Sequence, residues 1–170
     1  MFHLFLATLH TMAQVRWLDE PEEQAWRSLQ LMELQLTARL SRELVVGGSD
    51  LSYPDYVALA VLADRPDHRM RVFELATEIG WEKSRLSHHL ARMAARGLVT
   101  RERCESDRRG SFVVVTPLGR RKLAAAAPGH VAAVRRYFVD LLTEEQVDTV
   151  GEIARTVLTA LAEEDETRPG

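Results

Sequence analysis

The chain has one cysteine, Cys104, in 170 residues. A lone thiol makes no internal disulfide, so an apolar core must hold the fold, as suits a reducing cytoplasm. Long hydrophobic runs are scarce as well. The opening stretch MFHLFLATLHT is apolar but too short to span a bilayer, and no other segment approaches spanning length. It lacks a basic leader region and a clear cleavage site. It reads as a disordered or packed N-terminal extension, or as a start assigned too early, with Met12 opening a more typical soluble sequence. No internal repeat or low-complexity linker is present. Also missing are a phosphate loop, a nucleophile elbow, a paired metal motif and a triad spacing, so no enzyme, cofactor or metal is expected.

What is present is ordinary in bulk and uneven in distribution. The apolar fraction of 46% and the charged fraction of 28% fit a soluble globular protein. The length suits one core, or one core plus an oligomerisation extension. Between Trp81 and Lys122 there are eleven Lys and Arg against four Asp and Glu, a surplus of seven. The whole chain carries −3, so the remainder carries −10. A basic middle within acidic flanks is the pattern of a surface facing a polyanion.

Period-3.6 stripes predict helices on both sides of this middle. Trp26, Leu29, Met32 or Glu33, Leu36, Leu40 and Leu44 mark a long helix from about Glu22 to Val45, roughly 35 Å, ended by Gly47-Gly48. Ser52 is the expected cap of a second helix through Tyr56, Leu59 and Leu62. Thr116-Pro117 starts another, with a kink or break at Pro128-Gly129. Thr143 and Gln146 form a capping-box pattern for the last helix, striped by Val147, Val150, Ile153 or Ala154, Val157 and Leu161.

Within the basic middle, Leu75, Ala76 and Ile79 face inward on a short helix, Gly80 permits a left-handed turn, and Leu86, Leu90 and Met93 stripe a second helix. Lys83, Ser84, Arg85, Ser87, His88 and Arg92 fall on its other faces, where Arg can pair with guanine and Lys supplies charge. Neighbouring His88 and His89 project about 100° apart on a helix, so they cannot chelate one metal together; His88 is assigned to DNA contact and His89 to partial packing. Leu98-Val99 and Phe112–Val115 predict a two-stranded ribbon. Its tip carries Arg108 and Arg109 for a narrow minor groove, with Asp107 placed to hold Arg109.

The expected fold is mainly α with a small β-ribbon (α+β): a winged helix-turn-helix whose N- and C-terminal helices form a dimerisation domain. Its parts are an N-terminal extension (1–21), a dimerisation helix (22–48) and a winged module (49–116). Within that module the recognition helix covers about 82–96 and the wing about 99–115. C-terminal dimerisation helices (117–163) and a disordered tail (164–170) follow.

These residues resemble the multiple-antibiotic-resistance regulator (MarR) family over about Trp17 to Glu163. The resemblance is carried by SRLSHHLARMAARGLV, by Asp107-x-Arg109-Gly110, and by Val115-Thr116-Pro117-Leu118-Gly119. It implies a homodimeric, mainly repressing regulator on a pseudo-palindromic inverted-repeat operator in double-stranded DNA. Ser84, Arg85, His88 and Arg92 would read the major groove, and Arg109, supported by Asp107, the minor groove. It also implies release by a small, often aromatic or phenolic, effector, with Trp26, Gln30, Tyr53, Tyr56 and His68 as candidate lining residues. The family's zinc-sensing arrangement is not supported by the spacing of His68 and His130. Two alternatives stand beside this reading: a winged-helix protein-interaction module without sequence-specific DNA binding, and a redox sensor acting through Cys104.

Overall fold

Helix α1 (Glu20–Val46) starts at Asp19, whose side chain accepts from the Glu22 backbone N–H at 2.9 Å while the Glu22 carboxylate accepts from the Asp19 N–H at 3.0 Å. This reciprocal pair satisfies two of the amides that a helix start leaves without partners. The computed structural model describes residues 15–103 and 111–167. It divides into two units, residues 1–35 and 36–170, and the division falls inside α1. In the first unit, Trp26, Leu29, Leu31, Met32 and Leu34 are all exposed.

The second unit holds the core. Ser52 caps α2 (Tyr53–Ala63) in a capping box with Asp55, and Pro54 sits in the first turn, where no backbone donor is needed. After α2 come strand β1 (Arg69–Arg71), helix α3 (Val72–Glu78) and helix α4 (Lys83–Ala95). Strands β2 (Val99–Arg103) and β3 (Ser111–Val115) follow. The sheet is antiparallel in the order β1-β3-β2, with Met70 opposite Val113 and Val99 opposite Val115. The expected two-stranded ribbon therefore has a third strand. β1 is three residues of alternating Arg and Met, too short and too charged to show a strand period, and it exists because β3 offers it a free edge.

Leu59, Leu62, Leu75, Leu86, Leu90, Met93 and Val113 are completely buried, joined by Leu51, Leu98, Val99 and Val115. Each large side chain so enclosed contributes about 1.5–3 kcal/mol. α4 closes with a Schellman pair: the Leu98 N–H donates to the Met93 carbonyl at 3.0 Å and the Gly97 N–H to Ala94 at 2.9 Å.

Helix α5 (Pro117–Tyr137) is capped by Thr116, whose Oγ1 accepts from the Gly119 N–H at 3.0 Å and donates to the Gly97 carbonyl at 2.6 Å. Gly119 is required by proximity: a Cβ there would lie 2.2 Å from the Leu98 carbonyl oxygen. Of the kink or break expected at Pro128-Gly129, no break is found: α5 runs through Pro128. The proline removes one backbone donor, but buried Ala126 and Ala133 hold the helix on both sides of it. A 3₁₀ turn (Val139–Leu141) leads to α6 (Glu144–Thr167), which starts with the expected Thr143–Gln146 box and continues past Glu163, where fraying was expected. The side chains of Val147, Val150, Ile153, Val157 and Leu161 remain 38–58% exposed. Among the described residues, no helix is long and apolar enough to cross a membrane.

Candidate nucleic-acid interface

The crossing of α3 and α4 sets the surface. Leu75 and Ala76 are buried on α3, and Gly80 adopts φ 64°, the left-handed turn that its position between the helices calls for. α4 then lies with Leu86, Leu90 and Met93 at zero exposure against the core. The opposite side necessarily faces outward: Lys83, Ser84, Arg85, His88 and Arg92 are exposed and Ser87 is half-buried. Every candidate on the recognition helix therefore occupies one continuous cationic face.

Two of its arginines are held from below. The Arg85 guanidinium lies 4.4 Å from the centroid of the Trp81 ring, a cation–π stack. Arg92 Nη2 lies 3.1 Å from Nδ1 of His89, which is 7% exposed and packs edge-on to Trp81 at 5.2 Å. Behind His89 sits Asp55, 2% exposed. Asp55 Oδ2 accepts from the Ser52 N–H at 2.9 Å and pairs with Arg96 Nη1 at 2.6 Å, while Oδ1 lies 3.1 Å from His89 Nε2. That last approach is at ion-pair distance without hydrogen-bond geometry, and among the described residues His89 Nε2 has no hydrogen-bond partner. Burial by itself raises the Asp55 carboxyl, but the bonds from Arg96 and Ser52 outweigh it and hold the group below the ordinary carboxylate range. Burial pushes His89 down and Arg92, Arg96 and Arg85 push the same way, against the opposing pull of Asp55, so the ring is neutral near pH 7.

Sequence reasoning missed two groups at this surface. Arg101, on β2, donates to the Ser87 carbonyl at 3.0 Å and so ties a wing strand to the recognition helix. Asp55 lies in the first turn of α2 and is also the buried carboxylate that pairs with Arg96 at the end of α4. The signal for Arg101 was its place in the basic cluster; the 41-residue separation of Asp55 and Arg96 left none.

The remaining candidates are dispersed. Asp107, Arg108, Arg109 and Cys104 lie outside the described residues. Tyr53 and Tyr56 come together around His130, with ring centroids at 6.1 and 4.2 Å. His68 lies past the other end of α2, with Nδ1 3.0 Å from the Ala63 carbonyl oxygen and φ at 52°. Trp26 and Gln30 belong to the first unit, both exposed.

A family model described as MarR family matches residues 49–110, the segment running from the cap of α2 into the wing. The transcriptional regulator HosA of Escherichia coli O127:H6 is 36% identical over 123 residues, covering 72% of this chain and 86% of that protein. The chain belongs to the MarR family of transcriptional regulators. Among solved structures, AbsC from Streptomyces coelicolor, a MarR family regulator, matches with a TM-score of 0.78 and 40% identity, over 88% of this chain and 99% of that one. Sco3205 from the same organism, a MarR regulator solved in complex with DNA, matches with a TM-score of 0.77 and 40% identity, over 86% and 91%.

Proposed function

We propose that this protein is a cytoplasmic, homodimeric repressor that reads a pseudo-palindromic operator, and that it works by binding rather than by catalysis. The observation that carries the reading is α4: its apolar stripe is fully enclosed while Lys83, Ser84, Arg85, His88 and Arg92 share the outward face. A face of that width and charge suits the major groove, where Arg85 and Arg92 find paired acceptors on guanine and Lys83 finds phosphate. The β2–β3 hairpin is the wing, with Arg108 and Arg109 as minor-groove contacts and Asp107 as support for Arg109. The DNA complex of Sco3205 agrees with this reading at 40% identity.

One lobe covers one half-site, so a pair is needed. The exposed apolar stripe of α6 suits a second copy, since two-fold pairing buries like against like. A small aromatic or phenolic effector would act by favouring a spacing of the two lobes that no longer matches the half-sites, with Tyr53 and Tyr56, which come together around His130, as lining candidates.

Footprinting on the DNA upstream of the protein's own coding sequence tests the reading. A protected inverted repeat is expected, with affinity falling about a thousandfold between about 50 and 200 mM salt. No protection at low salt would favour a protein-interaction module.

A further inference from the structure

Beneath the exposed arginines of α4 lies a polar side chain that packing alone does not explain. His89 sits beside Leu86, Leu90 and Met93 on the buried side of the helix, where an apolar residue of similar size would fill the same space. Instead its ring has a different neighbour in each direction. Nδ1 faces Arg92 Nη2 at 3.1 Å, Nε2 faces Asp55 Oδ1 at 3.1 Å, and the ring meets Trp81 at an interplanar angle of 81°. Trp81 in turn carries Arg85. A guanidinium only donates, so Nδ1 is the acceptor and the ring proton sits on Nε2, on the Asp55 side. Asp55 is anchored independently of α4 by the backbone of Ser52 on α2.

We infer that His89 is a positioning residue for the DNA-facing arginines, setting Arg92 through Nδ1 and backing the Trp81 ring on which Arg85 rests. This rests on the DNA-reading conclusion above. A long exposed arginine loses considerable rotamer freedom when it docks on a base, and a side chain already held in one orientation loses less. Asp55 stands 3.1 Å from the far side of the ring, so His89 is packed between α2 and the arginines rather than among α4 residues alone. The groups facing His89 are Asp55 from α2, Arg85, Arg92 and Arg96 from α4 and its cap, and Trp81 from the turn. Burial first and then the three cations resist protonation of the ring against the pull of Asp55, so it remains an acceptor at neutral pH.

Three substitutions separate the two ring nitrogens. His89→Asn places an amide oxygen close to the Nδ1 position and keeps the acceptor for Arg92. His89→Gln places its amide near Nε2, on the Asp55 side, and loses the acceptor for Arg92. His89→Phe keeps the ring and loses both. Each intact protein is used to select duplexes from a random pool, and base preferences are compared with those of the wild type and of Arg92→Ala. His89→Gln and His89→Phe are expected to lose about tenfold in discrimination at the position that Arg92→Ala relaxes, and His89→Asn to retain it. Unchanged preference in His89→Phe, or equal loss in folded Asn and Gln variants, overturns the inference and leaves DNA reading intact. A wild type that enriches no sequence overturns the DNA-reading conclusion itself, and this inference with it. Nitrogen NMR of the wild-type His89 ring at pH 7 decides independently of how the variants fold. A neutral ring protonated at Nε2 is expected, and an Nδ1-protonated ring or an imidazolium contradicts the inference.

Discussion

Helices α4 and α6 carry the same kind of apolar stripe and treat it in opposite ways. On α4, Leu86, Leu90 and Met93 have no exposure at all. On α6, Val147, Val150, Ile153, Val157 and Leu161 are repeated at the same helical spacing and remain 38–58% exposed. A stripe in sequence states that a helix needs an apolar partner; it does not state where the partner is. For α4 the partner is the lobe itself, so the helix is held against the core and its polar face is turned outward, the face we propose as the reading surface. For α6 we assign the partner to a second copy of the chain.

Matched substitutions break or sharpen that comparison. Leu90→Ala empties space in a closed core and is expected to cost about 2–5 kcal/mol, read as a lower urea midpoint. Ile153→Asp on α6 is expected to leave the urea transition of the single lobe nearly unchanged while shifting sedimentation to the mass of one chain. A large stability loss without dissociation would mean that α6 packs within the chain. Gly119→Ala probes the joint between the recognition helix and α5, where the added methyl would meet the Leu98 carbonyl oxygen at 2.2 Å. A loss of about 1–3 kcal/mol is expected from the forced shift, and an unchanged midpoint would show that the joint yields.

The smallest expected effect is on pH. Burial lowers both His89 and His130 below the ordinary histidine value. Below about pH 6.5 the unfolded chain therefore binds protons that the folded chain refuses, and the fold loses stability as pH falls from that value toward the lowered ones. Asp50 and Asp55, also lowered, add a loss of the same sign only in the carboxylate range further down. Urea midpoints are expected to be lower at pH 5.5 than at pH 7.5. A rising midpoint would show that these rings are stabilised as cations.

The comparison also explains how far the sequence could be read. The 3.6 period exposed α4 and its outward face because burial and periodicity agree there, and the Thr143–Gln146 box and the Ser52 cap marked helix starts because caps are local chemistry. What depended on distant partners stayed hidden. β1 has no period of its own and is defined by pairing with β3. The pairing of Asp55 was hidden because Arg96 lies far away in sequence. Pro128 looked like a breaker because the packing of Ala126 and Ala133 around it is a tertiary property. His89, assigned only partial packing, turned out to hold both a carboxylate and an arginine within reach.

The central claim is that two rigid reading surfaces are held in a pair, and the spacing of half-sites in duplexes selected by the intact protein tests it most directly. An inverted repeat with half-site centres about one helical turn apart, roughly 10 base pairs, is expected. Enrichment of a single unrepeated site, or of no sequence, would contradict the account.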